Sequence, residues 1–352
     1  MVLMNYPVDG LQFCTFLQYM EIEDCPNLKS IPYTCVSLQK IVVRLCRKVT
    51  SLPAVPSTIQ HLEIIRCGID ELPSGLQFCT TLQYLKIEHC SNLKSIPESL
   101  YTCVSLQKIV VRHCRKVSSL PGVSSVIRHL EIIGCGIDEL PNGLQFCTSL
   151  QYFKIEHCPN LKSIPDLGEV FHSLIILKLS NCPDVRPKLS RREGRLKTLV
   201  IGGFIEEYNV FPILRYPSIR YSHASLKKLI LLGRPTLNSL PNEIQLFTAL
   251  EELQIQNCNG MEALPDWLSC LSSLQKLLLY HCIKLVYLPI LHLTNLKLLH
   301  IDYCRNFEKI CAEGSGVEWF QIAHVPNIRI NGIYIQRKDY EDFDVFDNFE
   351  DD

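Results

Sequence analysis

The chain has 352 residues, a hydrophobic content of 47% and a formal net charge of −1. A net charge this close to zero gives no electrostatic basis for binding nucleic acid or an anionic membrane, so we expect neither partner. The sequence opens without a basic and apolar leader and contains no apolar run of about 18 residues, which predicts neither a secretory signal nor a membrane span.

Internal repetition dominates the sequence from its first residues onward. The hexapeptide GLQFCT occurs at 10–15, 75–80 and 143–148, and the first two copies open nearly identical blocks. Each block contains three shorter units of the form L-x-x-L-x-I-x-x-C-x-x-L-x-x-L-P. Because alternate residues of a strand share one face, the aliphatic positions predict a short strand with one buried face, followed by an inward-facing cysteine.

In chain order the pattern predicts about thirteen strands. Their units begin at Leu17, Leu38, Ile59, Leu82, Leu106, Ile127, Leu150, Leu174, Leu196, Leu226, Leu250, Leu274 and Leu296. This spacing matches the leucine-rich repeat signature. The predicted fold class is therefore an α/β repeat, a leucine-rich repeat solenoid curved like a horseshoe, with parallel β-strands on the concave face and mostly irregular or short helical convex segments.

Variation in the pattern divides the chain into six regions. We expect a remnant of a preceding repeat without its own strand at 1–9, regular cysteine-rich repeats with the triplicated cassette at 10–189, irregular repeats at 190–241, regular repeats at 242–310, a closing segment at 311–336 and an acidic disordered tail at 337–352.

Eighteen cysteines are interpreted as structural thiols. Eleven follow a predicted strand and six recur on the convex segments, where a small, weakly polar side chain packs well. No C-x-x-C pair occurs, which argues against a zinc or redox site. Four of these cysteines follow a histidine, and the alternation of side chains at a strand end places those histidines in solvent.

The motifs that carry chemistry are missing. The sequence has no phosphate-binding G-x-x-x-x-G-K-[ST] loop and none of H-E-x-x-H, G-x-S-x-G or G-x-G-x-x-G. We therefore predict no catalytic residue, no cofactor, no metal and no small-molecule substrate.

A protein-binding surface is instead predicted on the concave face, from the strand residues between the aliphatic positions. Aromatic, basic and charged residues alternate there, as at protein interfaces, although a plain solvated face remains the alternative. The candidate surface residues are Tyr84, Lys86, His89, Lys108, Arg112, His113, Glu131, Tyr152, Lys154 and His157.

Three segments of the second half carry a family resemblance. They are residues 239–289, beginning SLPNEIQLFTALEELQIQNC, residues 293–304, LTNLKLLHIDYC, and the ending CAEGSGVEWFQIAHVPNIRINGIYIQ at 311–336. They resemble the C-terminal repeats of plant intracellular nucleotide-binding (NB-ARC) disease resistance proteins of the coiled-coil class, here as a truncated form.

The resemblance implies a role in plant innate immunity. The chain would recognise a pathogen effector or a guarded host protein and regulate an NB-ARC switch, in cis or in trans. It would lie in the cytoplasm, with the nucleus as the alternative compartment. The coiled coil and nucleotide-binding module are absent from this sequence, so nucleotide binding is not carried over. Two other hypotheses stay open: the substrate-receptor subunit of a ubiquitin ligase, and a non-functional truncated paralogue of a resistance gene.

Overall fold

Repeated parallel strands build two compact units. The computed structural model describes residues 2–4, 16–31, 35–165, 167, 170–182, 195–203, 214, 219, 221–311 and 319–338. The first unit comprises mainly Met1–Leu196, and the second mainly Lys197–Gly203 and Ile219–Asp352.

Nine strands of the first unit pair in parallel, each with the next in sequence. They are β1 Val2–Met4, β2 Tyr19–Glu23, β3 Lys40–Arg44, β4 His61–Ile65, β5 Tyr84–Glu88, β6 Lys108–Arg112, β7 His129–Ile133, β8 Tyr152–Glu156 and β9 Ile176–Ser180. Short 3₁₀-helices on the return segments cover Leu76–Phe78, Glu98–Thr102, Leu144–Phe146 and Val170–His172.

The second unit continues the same pattern and closes with a hairpin. Its strands are β10 Thr198–Gly202, β11 Lys228–Leu232, β12 Glu252–Gln256, β13 Lys276–Tyr280, β14 Leu298–Asp302, β15 Asn327–Ile330 and β16 Ile333–Arg337. Strands β10 to β15 are parallel, and β16 runs antiparallel to β15. The helices are 3₁₀ turns at Tyr221–Ala224, Asn242–Leu246 and Asp266–Cys270, with α1 at Arg305–Ile310 and α2 at Trp319–Ile322. Asn331 and Gly332 both adopt positive φ, as a two-residue type I′ hairpin turn requires.

The second and fourth residues of each cassette strand form the core. In β4 these are Leu62 and Ile64, both fully buried. Each such side chain contributes roughly 1.5–3 kcal/mol by leaving water, but only when the neighbouring repeats cover it. The thirteen strands β2 to β14 coincide with the thirteen predicted units, so the predicted solenoid of parallel strands is confirmed.

The GLQFCT segment is a return segment of the repeat. In its second copy Gly75 has φ 91°, and a Cβ there would lie 2.7 Å from the Val55 carbonyl oxygen. Leu76 and Cys79 are buried, whereas Phe78 is 66% exposed. The motif therefore combines a left-handed turn that favours glycine with two core residues.

One expectation about the first residues is wrong, and others fall outside the described residues. Residues 1–9 were expected to carry no strand, but Val2–Met4 pair in parallel with β2 as a strand of the same sheet. A short three-residue strand without the full repeat consensus gives no readable signal in the sequence. The first GLQFCT copy, most of the irregular region at 204–220 and the acidic tail at 339–352 lie outside the described residues.

Candidate protein-binding surface

The outward side chains of β2 to β8 form three rows across the first unit, here called the strand face. The first, third and fifth residues of each strand give the first, middle and last rows, because register pairs equivalent positions of neighbouring strands. A fourth row, the edge row, consists of the residue directly after each strand. Its members are Asp24, Leu45, Arg66, His89, His113, Gly134 and His157.

Aromatic and cationic groups alternate along the first row. The His61 and Tyr84 rings lie 4.3 Å apart, and Lys108 lies over the Tyr84 ring at 5.3 Å. The arrangement recurs one cassette later, where the His129 and Tyr152 rings stack at 4.1 Å with an interplanar angle of 2°. Such contacts contribute about 0.5–1.5 kcal/mol each and hold the side chains in fixed orientations.

The middle row is more buried than the strand alternation predicts. Val42 and Val110 are 0% and 3% exposed, and Glu63 is 8% exposed. The neighbouring strands cause this burial. Because parallel strands are about 4.8 Å apart, larger side chains on both neighbouring strands cover a central residue. Row position alone therefore does not make a residue available to a partner.

Glu63 is the centre of an ion-pair cluster. His61 Nε2 lies 2.6 Å from one carboxylate oxygen, and Arg44 Nη2 lies 3.0 Å from the other. The hydrogen bond with His61 lowers the pKa of the Glu63 carboxyl to about 2; burial opposes this shift, and the Arg44 guanidinium adds to it. Arg44 also contacts Glu21 at 3.0 Å, so three strands are linked by charge.

Glu131, one of the predicted surface residues, occupies the equivalent position in the second cassette copy. It is 3% exposed, and it accepts hydrogen bonds from Arg112 Nε at 2.8 Å and His129 Nε2 at 3.3 Å. Burial alone would raise its pKa, but these donors and the nearby Lys154 charge lower it. The expectation that Glu131 is an exposed contact residue is therefore wrong. Its buried carboxylate instead orients the Arg112 side chain through their hydrogen bond.

The other predicted strand residues lie on the strand face with part of the side chain accessible. Lys86 pairs with Glu88 at 2.8 Å, and Lys154 pairs with Glu156 at 3.1 Å. Tyr84, Lys108, Arg112 and Tyr152 are likewise partly exposed, each at an outward position of its strand. The structure thus brings the predicted residues of β5 to β8 onto one face, and their role in binding stays a prediction.

The three predicted histidines lie together in the edge row, beyond the strand ends. His89, His113 and His157 all adopt positive φ, between 53° and 54°. Their backbone N–H groups still donate to the next strand, as in the 2.9 Å bond from His89 to the Arg112 carbonyl. The left-handed conformation then turns the next residue inward. This confirms that histidine points outward and cysteine inward.

The inward cysteines of the first unit are buried against backbone carbonyl groups. Cys67 Sγ donates weakly to the Val43 and Ile65 carbonyl oxygens at 3.6 and 3.4 Å. Burial raises the pKa of the Cys90 and Cys103 thiols to about 11, which suppresses thiolate formation. Every cysteine in the described ranges except Cys270 is buried.

His61 and His129 organise the strand face, and the candidate residues named from the sequence do not include them. Their signal is positional, since each precedes a glutamate by two residues and pairs in register with a tyrosine on the next strand. The contact of each histidine with a tyrosine can be recognised only when the register of the neighbouring strands is known. The resulting surface is preorganised, because its charged groups already have fixed partners before any ligand arrives.

Parallel strands at this spacing, with a solvent-facing array of aromatic and paired charged residues, define a leucine-rich repeat scaffold. Folds of this kind generally mediate protein–protein contacts and are typically not enzymes. Among the described residues, no helix is long and apolar enough to cross a membrane.

Comparison with known proteins places one part of the chain more narrowly. Residues 235–304 match the family model described as R13L1/DRL21 LRRs. The chain is also 30% identical over 80 residues to the disease resistance protein RML1A of Arabidopsis thaliana, a match that covers 22% of this chain and 8% of that protein. The similarity to a plant resistance protein is therefore local.

Solved leucine-rich repeat structures resemble the chain at low sequence identity. A leucine-rich repeat protein of Leptospira interrogans is 17% identical with a TM-score of 0.46, over 74% of this chain and 71% of that one. YopM, a leucine-rich effector protein from Yersinia pestis, is 21% identical with a TM-score of 0.46, over 89% of this chain and 88% of that one.

Proposed function

We propose that this chain is the protein-recognition module of a plant innate immune receptor, which senses a pathogen effector or a guarded host protein and regulates an NB-ARC switch. The local match to resistance-protein repeats supports the immune assignment. The strand face and edge row of the first unit supply the recognition surface. The proposed compartment is the cytoplasm, with the nucleus as the alternative.

One observation carries the recognition role: between the two cassette copies every edge-row residue differs, whereas five of the six core residues at the second and fourth strand positions are the same and Met20 is replaced by another apolar residue, Leu85. The buried strand residues Ile22, Ile41, Val43, Leu62 and Ile64 all recur unchanged in β5 to β7, as do the inward cysteines. At the three edge-row positions every residue differs between the copies. Asp24, Leu45 and Arg66 of the first copy correspond to His89, His113 and Gly134 of the second.

This distribution is expected of a surface under diversification. Core substitutions in a stack of repeats would disturb both neighbours, whereas the edge-row side chains point outward. Glu21 of the middle row has also changed to Lys86, which reverses the charge at an accessible position. Substitutions also occur on the return segments, as at Thr58 and Val126, but the edge row is the only one of the four outward rows in which every residue differs between the copies.

A copy-swap experiment tests the proposal. The double variant His89→Asp and His113→Leu gives the second cassette the residues that the first cassette has at the equivalent positions, Asp24 and Leu45. Each new residue therefore already occurs in this chain in the same left-handed backbone conformation. Val126→Thr is the control, because it makes the same kind of swap at the exposed position equivalent to Thr58 on the return segment.

The assay is co-expression in plant leaf tissue with a coiled-coil NB-ARC module in trans, reading co-purification and cell death upon challenge with the recognised effector. We expect both histidine substitutions together to abolish the effector-dependent response and the control to preserve it. Failure of the unmodified chain to associate with the module and to support any response would overturn the immune assignment.

A further inference from the structure

A basic groove lies at the ends of β3, β4 and β5, where the chain leaves the strand face. Its volume is about 480 Å³, and it is lined by Arg47, Arg66, His89, Ser91 and Asn92 together with Cys67 and Gly68. None of these described lining residues is a carboxylate. Glu88 lies beside the groove, with its Oε1 atom 3.8 Å from His89 Nε2.

The two arginines of this groove differ from those on the strand face. Arg44 and Arg112 pair with buried glutamates, whereas Arg47 and Arg66 are exposed and have no acidic partner among the described residues. A guanidinium presents a rigid fork of N–H donors that matches a carboxylate or phosphate. Two unpaired guanidinium groups on one groove therefore provide donors for an oxyanion.

Backbone geometry fixes the groove. A Cβ atom on Gly68 would lie 2.2 Å from the Arg47 carbonyl oxygen, so no other residue fits at that position without a shift of the backbone. The Asn92 side-chain amide donates to the Gly68 carbonyl oxygen at 3.4 Å, and Lys116 Nζ donates to Asn92 Oδ1 at 3.4 Å. These contacts hold the Gly68 backbone and the Asn92 side chain in place.

The second cassette copy reproduces this frame with one arginine fewer. A Cβ atom on Gly136 would lie 2.3 Å from the Arg115 carbonyl oxygen, and Asn160 donates to the Gly136 carbonyl oxygen at 3.4 Å. The edge-row position of Arg66, however, is occupied by Gly134. Arg66 is therefore the residue that distinguishes the two copies.

We propose that the groove binds a carboxylate from an acidic segment of a protein partner, through Arg47 and Arg66, and that the second copy lacks this site because Gly134 replaces the second arginine. The proposal rests on the proposed function only in taking the occupant to be a protein. A free phosphate shares the oxyanion chemistry, and the experiment separates the two sources.

The test measures fluorescence anisotropy of a labelled peptide, GSEEEEGS, with the full chain at low salt. Arg66→Gly introduces the residue of the second cassette, Gly134. The control Arg128→Gln introduces the residue of the first cassette, Gln60, at an exposed arginine outside the groove. Each variant therefore removes one positive charge and uses a residue that the other copy already has at that position. We expect Arg66→Gly to weaken binding at least about tenfold and Arg128→Gln to weaken it less than about twofold. Gly134→Arg should add a second site.

Three results would overturn the proposal. The first is no measurable peptide binding by the unmodified chain, and the second is equal weakening by Arg66→Gly and Arg128→Gln, which would indicate diffuse charge. The third is inorganic phosphate binding that depends on Arg66 without peptide binding, which would make the groove a small-anion site. The peptide assay needs no immune partner, so its outcome is independent of the copy-swap experiment.

Discussion

Replacing Glu63 with glutamine should make the free energy of unfolding of the first unit less sensitive to acidic pH. The carboxylate is 11% exposed and contacts both Arg44 and His61, and its pKa falls from 4.5 to about 2 in the folded chain. At about 1.4 kcal/mol per pKa unit, the shift corresponds to an upper bound of roughly 3 kcal/mol. Because the folded-state pKa is the lower one, this contribution is complete above the unfolded pKa and is lost as pH falls towards 2.

Urea unfolding followed by circular dichroism measures this contribution between pH 7 and 2.5. At pH 7 Glu63→Gln should lower the free energy of unfolding by up to roughly 3 kcal/mol, and the gap to the unmodified chain should close below about pH 4.5. The control is Glu71→Gln, an exposed carboxylate, with an expected effect within about 0.5 kcal/mol. A Glu63→Gln gap that stays constant with pH would refute the reasoning.

Three further predictions test the register, the edge row and the thiols. Ile132→Asp should destabilise the first unit by roughly 3 kcal/mol or more in urea unfolding because it buries an unpaired charge, while Arg112→Ala should retain the fold; equal effects would contradict the register. Leu45→Asn should raise the urea midpoint by the equivalent of about 0.5 kcal/mol, since asparagine tolerates a φ of 57° better than leucine, and a lower midpoint would show that side-chain packing dominates. Cys270→Ser should remove the fast phase of labelling by Ellman's reagent that comes from the described cysteines, because the others are buried. A fast phase that persists at one of those cysteines, such as Cys67, would mean that a buried thiol is accessible.

The strand positions were predictable because their cause is local and repeated. Each L-x-x-L-x-I segment buries its aliphatic side chains, as with Leu38, Ile41 and Val43, so thirteen repetitions of one pattern predicted β2 to β14. The orientation of histidine and cysteine at the strand ends also followed from alternation. The left-handed backbone conformation of the edge row could not be predicted from the sequence, because leucine and arginine, as at Leu45 and Arg66, disfavour it. The ladder hydrogen bond and the buried cysteine override that preference.

Accessibility on the strand face could not be derived from alternation. Glu131 and Val110 occupy outward positions, yet both are nearly inaccessible. Their burial depends on the size of side chains on the two neighbouring strands, which are more than 15 residues away in sequence. A row-by-row map of a solenoid surface therefore needs the register of three adjacent strands, and a single unit of the sequence does not contain that information.

The edge row shows how duplication can alter a surface without loss of the fold. Its backbone N–H groups donate to the same carbonyl positions in both copies: Asp24 to Arg44 and His89 to Arg112, at 3.1 and 2.9 Å. The following cysteine is buried in each case, so both flanks of an edge-row residue are held independently of its side chain. The left-handed conformation costs a non-glycine residue roughly 1–2 kcal/mol, whereas glycine, as at Gly134, adopts it freely. Substitution in this row therefore changes charge and shape on the surface at a cost set by the backbone conformation, and it leaves the packing of the copied core unchanged.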